Sequence, residues 1–476
     1  MKRTIAMLLA LLLLWCAAGT AGAQETPPAG GGSDYALWQE RTRASLTGDL
    51  SHFVSADSGA LAWGTSYAIN AYCRAYQATG EEIYLEKAGG YLYEIFQLAQ
   101  DKDGDGYKNW GTETYSDGHY EEFCVHTGAL LSSGGEWANL VASSPWILDK
   151  TEPVSGMPYG ALCDYLVDEA TRNMIPAFDK DWNDRYGVYT SPAGSTYFGG
   201  KTVSLPNNQF LAMAATLIQF AKLSPEHQEE YLRRAARMLE TFRRRLWYNC
   251  RGDITRWKYR DRYLPCDERP SKEDYSHGMW SVRAATMGYA NGLAFTHSNI
   301  EAFARVYKSM VRGTAQEPLL TYNVDGSGTK DNALFLFIYD LSPFGDAIWS
   351  TGYKTAVARG APASIGDAAR ILAYHQAAPA PLPFGLVSPE PGAQIFGRTL
   401  LRWEPSVYAC KYTLQISDRE DFASLFLERA DILDTSAFVE LPYDGRTLYW
   451  QVIAANQGGG SFVSEPSAIV TPLIVP

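Results

Sequence analysis

The sequence predicts a mainly α protein, an α/α toroid of helical hairpins followed by a small all-β sandwich. Three observations carry this expectation. Two long segments match at a constant offset of 147 positions, each an amphipathic helical pair. The last 90 residues change from helical to strand periodicity. Between the two regimes lies "QAAPAPLPFGL" at 376–386, a Pro/Ala-rich stretch that resists regular structure and reads as a linker.

The hairpins come first. Tyr84, Leu85, Ala88 and Leu92 in "EEIYLEKAGGYLYEIF" recur as Tyr231, Leu232, Ala235 and Leu239 in "QEEYLRRAARMLETF", and Trp110 and Trp257 keep the same offset. A helical pattern precedes each copy, over 62–78 and 207–223, across a short Thr-Gly or Ser-Pro turn. Weaker versions start near Tyr120, His277 and Asp331. A hairpin buries its apolar face only by stacking on neighbours, so a series of them implies a solenoid or a ring. Over residues 34–375 the expectation is a closed catalytic toroid whose first helices all start at one end of a central cavity.

In "TLLRWEP", "KYTLQIS" and "TLYWQVIAAN" apolar and polar side chains alternate, separated by turn-rich stretches such as "PYDGR". With Trp403 and the Tyr449-Trp450 pair, residues 387–476 resemble a fibronectin type III sandwich. Such a module spaces or docks an enzyme, and its strands are expected to pack only among themselves.

Residues 1–23 have a basic start, an apolar run through Leu14 and Trp15, and small residues ending in Ala-Gly-Ala, which reads as a cleaved signal peptide. Residues 24–33, "QETPPAGGGS", read as a flexible leader. The expectation is a secreted or periplasmic monomer. No later stretch approaches the roughly 18 apolar residues of a membrane helix, so no membrane insertion is expected. The net charge of −12 becomes −14 once Lys2 and Arg3 leave, which argues against a nucleic-acid partner without describing any local cleft. Export permits disulfides. Cys250 and Cys266 close a short loop and are expected to be bonded, a staple worth about 3 kcal/mol in the chain-entropy model. The pairing of Cys73, Cys124 and Cys163 stays open, and with Cys410 in the C-terminal module at least one buried free thiol is expected.

Hairpin starts converge in a ring, so their residues define the candidate site. In order they carry Trp63 to Tyr67, Glu121 to His126, Leu205 to Gln209, Glu273 to Trp280, and Lys330 to Asn332. Aromatic faces stack on sugar rings while amides and carboxylates bond hydroxyls, so the set reads as a carbohydrate cleft. An aromatic at a helix start can equally seal the ring. His277 opens a helix, where the macrodipole favours the neutral imidazole that a general base needs, and Glu273 and Asp274 oppose that effect if close. Alternatively Asp274 or Ser276 caps the helix and His277 packs against a neighbour. His126 has the same ambiguity.

"AWGTSY", "FCVHTG", "LPNNQ" and "EDYSH", on successive hairpins, resemble α/α-barrel polysaccharide lyases of the glucuronan and alginate lyase kind, over roughly residues 55–375. The resemblance implies β-elimination on a uronate polysaccharide, with an acidic polysaccharide as partner and no cofactor required. It gives His277 the base role, Asn208 (with Asn207 as rival) the neutralisation of the uronate carboxylate, and His126 a supporting role. The acid falls to Tyr322 in "LLTYNVDG", with Tyr275 and Tyr339 as alternatives, and a cationic partner to Arg283 or Arg312. Expected substrate contacts are Trp63, Tyr67, Asn207, Gln209, Trp257, Tyr259, Glu273 and Trp280. The rival enzyme is a glycoside hydrolase pairing Glu121 or Glu122 with Asp274; the rival class is a glycan-binding protein without catalysis.

"DKDGDGYKNW" at 101–110 matches the front half of a calcium loop through Asp101, Asp103, Asp105 and Gly106. Position twelve is Thr112 where a bidentate Glu belongs. A turn joining hairpins explains the stretch as well.

Overall fold

The computed structural model of the chain describes residues 43–44, 46–48, 50–313, 318–328, 330–331, 338–345, 380–456 and 458–473. The signal peptide, the leader and the first four residues of the linker, 376–379, lie outside them. Among the described residues eight helices of eleven residues or more run in four pairs: α1 (Ser66–Thr79) with α2 (Ile83–Gln97), α3 (Cys124–Ala142) with α4 (Tyr159–Glu169), α5 (Asn207–Ala221) with α6 (Gln228–Arg243), and α7 (Tyr275–Ala290) with α8 (His297–Met310). No helix among the described residues is long and apolar enough to cross a membrane.

The first helix of each pair is an inner one, and the sequence shows why. Every residue of α5 and all but the last of α3 are buried, as expected of helices apolar all round. The partners α2 and α6 bury only a stripe, Tyr84, Leu85, Ala88 and Leu92 on one and Tyr231, Leu232, Ala235 and Leu239 on the other. The repeat at 147 positions is thus the inward face of two outer helices. Along the inner set, α3 packs on α1 and on α5, and α5 packs on α7. At Gly128 the α3–α5 seam is so close that a Cβ would lie 2.8 Å from the Met213 backbone nitrogen. Thr216 Oγ1 donates to Gly128 O across it at 2.7 Å.

The centre of the inner helices is polar. Glu136 of α3 accepts Asn70 Nδ2 at 2.6 Å and Arg283 Nη2 at 2.8 Å on one oxygen, and meets Arg74 Nη2 at 3.0 Å on the other. One carboxylate therefore ties α1, α3 and α7 together.

The expectation of a mainly α toroid with a separate small sandwich is overturned. Among the described residues 41% are helical and about 20% are strand, spread over several sheets. Four small sheets stand among the helices: Trp182–Asn183 with Val188–Tyr189, Trp247–Tyr248 with Thr255–Arg256, Lys258–Arg260 with Ser271–Lys272, and a three-stranded one of Val311–Gly313, Pro318–Leu320 and Lys330–Asp331. Strands of two or three residues are too short for alternation to register, which is why the sequence concealed them. Asp331 is strand where a fifth hairpin was expected to start.

The C-terminal strands form two sheets, one of Leu386–Ser388, Gly397–Trp403 and Ser436–Leu441, and a six-stranded one centred on Lys411–Ser417 and Thr447–Ala455. They do not pack only among themselves. Leu400 and Phe438 join the helical core, and Ala290 of α7 joins the core of the sheets. Arg402, almost fully buried, donates from Nη1 to Asn139 O at 3.0 Å and Ser143 Oγ at 3.1 Å, and from Nη2 to Asn139 Oδ1 at 3.1 Å and Lys222 O at 3.0 Å. Its charge sits on the carbonyl ends of α3 and α5, where the macrodipole favours a cation. Burial nevertheless lowers its pKa to about 10.

The disulfide expectation is also corrected. Among the described residues every cysteine is a free thiol; Cys250 and Cys266 are exposed, while Cys73, Cys124, Cys163 and Cys410 are buried. Cys266 Sγ is directed instead at Thr202 O, at 3.3 Å.

Arg402→Ala is expected to lower unfolding free energy by about 3 kcal/mol, because four acceptors at two helix ends lose one buried donor group. Urea denaturation of the full chain measures it, and an unchanged midpoint would show that the docked sheets do not support the helices.

Candidate active site

The starts of α1, α3, α5 and α7 meet around a cavity of about 150 Å³. Trp63 reaches it from a π-helical turn, Leu61–Thr65, that leads into α1. Such a wide turn is a recurrent device for aiming a side chain at a site. Tyr67 follows one turn later. From α3 come Val125 and His126, preceded by Phe123; from α5, Asn208 and Gln209; from α7, Ser276 and His277. Tyr115, Tyr197 and Tyr259 complete the wall from loops and from the Lys258–Arg260 strand.

Asp274 is the N-cap of α7 and does two things at once. Its Oδ1 accepts the backbone N–H groups of Ser276 and His277 at 2.9 and 3.0 Å and the Ser276 hydroxyl at 2.6 Å. Its Oδ2 lies 2.6 Å from His277 Nδ1. Capping and histidine positioning, alternatives in the sequence, are shared between the two oxygens. Burial pushes the Asp274 carboxyl up, but the hydrogen bond and charge of His277, with the Ser276 and backbone donors, outweigh it and hold the pKa at about 2. In the neutral ring, an ionised Asp274 places the single His277 proton on Nδ1, which leaves the Nε2 lone pair for a ligand. The His277 side chain is 42% exposed and stands at the mouth.

His126 is different. Its Nδ1 lies 2.9 Å from Ser58 Oγ, and its ring is enclosed by Trp63, Tyr115 and Phe123 at centroid distances of 5.5, 5.4 and 5.0 Å. Burial lowers its pKa to about 3, so it is a neutral wall residue.

The two asparagines of "LPNNQ" separate cleanly. Asn207 is satisfied on both sides, donating to Lys258 O at 2.7 Å and accepting the Tyr263 hydroxyl at 2.6 Å. It clamps the Tyr259 strand to the start of α5. Asn208 faces the cavity, and its Oδ1 is buried with no hydrogen-bond partner. Pro206 offers no side-chain cap to α5, so the positive end of that helix also faces this wall. Neither lysine nor arginine is among the lining residues.

Tyr259 packs against His277 at a centroid distance of 4.9 Å. Burial, then the nearby Tyr197 and Glu273, pushes its pKa well above the ordinary value, so it keeps its proton. The strand register breaks between Lys258 and Arg260, at this residue.

Several expected site residues lie elsewhere. Tyr322, 39% exposed, packs against Tyr275 and accepts its backbone N–H at 3.0 Å, outside the cavity lining. Trp257 is core and donates to Glu273 Oε2 at 3.1 Å; burial raises the Glu273 pKa well above the carboxylate range. Trp280 lies behind the wall, stacked on Tyr67 at 6.3 Å. Arg283 is held by Glu136, and the side chains of Arg312 and Tyr339 lie outside the described residues. Glu121 and Glu122 do not line the cavity; they accept hydroxyl protons from Ser195 and Tyr120. Tyr115 and Tyr197 were missed, because loop tyrosines carry no periodic signal.

No family model and no curated protein matches the chain. The site therefore has to be read from its own chemistry.

The loop at Asp101, Asp103 and Asp105 offers three carboxylates whose ligand atoms lie within 4.8 Å of one another. Lys180 Nζ already sits 2.6 Å from Asp105 and 3.6 Å from Asp103.

His126 also predicts a pH dependence. Its stabilising effect as a buried neutral ring is complete above its ordinary pKa of 6.5 and is lost as pH falls toward 3. Stability should drop by about 1.4 kcal/mol per pH unit in that window. Urea midpoints at stepped pH measure the slope, and His126→Gln should flatten it.

Proposed function

We propose that the protein is an exported polysaccharide lyase that cleaves a uronate-containing chain by β-elimination. The observation that supports this best is the Asp274–His277 pair at the mouth of an aromatic cavity, beside the Asn208 and Gln209 amides and a proton-bearing Tyr259. The proton next to a carboxylate becomes acidic only when the second negative charge that develops there is met by donors. In this reading Asn208, Gln209 and the uncapped start of α5 meet it. His277 Nε2 takes the proton from the carbon bearing the carboxylate. The electron pair forms the carbon–carbon double bond, the glycosidic C–O bond breaks, and the leaving oxygen takes the Tyr259 proton. Aspartate-held imidazole and buried phenol thus have opposite tasks. Tyr259 replaces Tyr322 as the acid because Tyr322 lies outside the cavity lining. A hydrolase reading lacks support, since no carboxylate pair lines the cavity and Asp274 is spent on the cap and on His277.

His277→Ala and Asn208→Ala should each lower kcat by about 100-fold or more while Tm barely moves, the scale of a lost acid–base or charge-stabilising group. Turnover is followed by the ultraviolet absorbance of the conjugated unsaturated uronate on glucuronan, alginate, pectate and glycosaminoglycans. Binding without that product would make the protein a glycan-binding one. Full specific activity in His277→Ala would end the base assignment.

Calcium is the ion that the Asp101–Asp105 loop is proposed to take, with Lys180 displaced from the carboxylates. Millimolar calcium should then raise Tm relative to chelator, and Asp103→Asn should abolish the rise; equal Tm in both conditions would leave the loop as a turn.

A further inference from the structure

The protein is acidic overall, yet one stretch is the reverse. Between Arg233 and Arg262 the sequence carries arginines at 233, 234, 237, 243, 244, 245, 251, 256, 260 and 262, with Lys258, against Glu240, Asp253 and Asp261. Five guanidinium groups of this region and its neighbourhood, those of Arg185, Arg233, Arg237, Arg244 and Arg245, line an open groove of about 450 Å³. Its one acidic lining residue is Glu240. That carboxylate is shared by Arg243 at 3.0 Å and Arg244 at 3.5 Å.

Most of these charges are not cancelled. Arg233 is paired with Asp184 and Glu230. Arg237 and Arg245 spend only one nitrogen each, on backbone carbonyls, and Arg185 has no carboxylate partner among the described residues. A guanidinium has five N–H donors, so most remain to be used. Repulsion among like charges is the cost of gathering them, and the structure holds them in place. The 182–189 hairpin is fixed to the end of α6 by Thr241 Oγ1 donating to Tyr186 O at 2.9 Å. A Cβ at Gly187 would lie 3.0 Å from Arg237 O, so the two walls of the groove are in contact. The negative end of the α6 macrodipole offsets part of the repulsion.

Position decides the occupant. A short connection makes α6 antiparallel to α5, so the last turn of α6 lies at the same end as the start of α5. The link is direct: Arg245 stacks on Tyr263 at 5.6 Å, and the Tyr263 hydroxyl is held by Asn207, the neighbour of Asn208 in the cavity wall. We propose that this groove is a docking site for the continuation of an acidic polysaccharide chain, binding its carboxylate or sulfate groups outside the cavity. Arginine forks match such groups in two-point contacts, and Tyr186 adds an aromatic face among them. The cavity, which lacks cationic side chains, and the groove then divide the work: amides meet the reacting sugar, and arginines hold the polymer. The inference rests on the lyase reading only in naming a uronate chain as the ligand.

Calorimetric titration of the full chain in a His277→Ala background, with long-chain alginate and with its disaccharide at low salt, tests it. The triple variant Arg237→Gln/Arg244→Gln/Arg245→Gln should bind the polymer about tenfold more weakly or worse and show a shallower salt dependence, as expected when several partly exposed charge contacts are lost. Disaccharide binding should not change. Arg185→Gln, which removes no internal ion pair among the described residues, should shift polymer affinity in the same direction and serves if the triple variant does not fold. Unchanged polymer affinity in these variants would overturn the proposal. So would single-stranded DNA or anionic vesicles binding more tightly than any acidic glycan and losing that binding in the same variants. Polymer bound through the groove but never cleaved by the wild-type protein upholds the groove and sinks the lyase reading. Cleavage with arginine variants indistinguishable from wild type sinks the groove alone.

Discussion

The structure depends on one buried carboxylate. Glu136 sits in the middle of the inner helices and is met by Arg74 and Asn70 from α1 and Arg283 from α7. A lone charge at that depth would be prohibitively unstable, and Arg74, Asn70 and Arg283 reach it only if α1 and α7 turn these side chains toward α3. The ion cluster therefore fixes the spacing of the inner helices from within. Arg74 continues the network into the C-terminal sheets, through Leu433 O at 3.3 Å. Nearby, Lys222 pairs with Asp434 at 2.9 Å although the lysine is completely buried. Helices and sheets are joined by charges that neither could bury alone.

This joint explains why the C-terminal region could be located but not understood from sequence. Alternation in "KYTLQIS" and "TLYWQVIAAN" marked the strands, because period two is a local property. Docking of Arg402 and Phe438 on helix ends is a pairwise property, invisible in either partner's own pattern. The same distinction runs through the helical region. Both copies of the 147-residue repeat were legible because an amphipathic stripe repeats within one helix. The two-residue strands were not, and they corrected the fold class.

At the site, what could be read was what sits at helix starts. "LPNNQ" and "EDYSH" brought Asn208, Gln209 and His277 to one cavity because inner helices all begin there. Which of two adjacent asparagines faces inward depends on whether Tyr263 and Lys258 claim the other, and that is long-range information. Tyr259 was legible as an aromatic, whereas its contact with His277 comes from a ribbon break that no pattern announces. Tyr322 does not line the cavity, because a plausible distance along the chain is no guide to direction in space.

The seam at Gly128 has a consequence for how the protein could change over time. With α3 and α5 in backbone contact and Thr216 bonded across them, the frame that spaces His126 from Asn208 tolerates almost no drift. Tyr115 and Tyr197, by contrast, reach the cavity from connecting segments. Changes in what the cavity accepts are therefore least costly in those segments, because the helical frame behind them stays as it is.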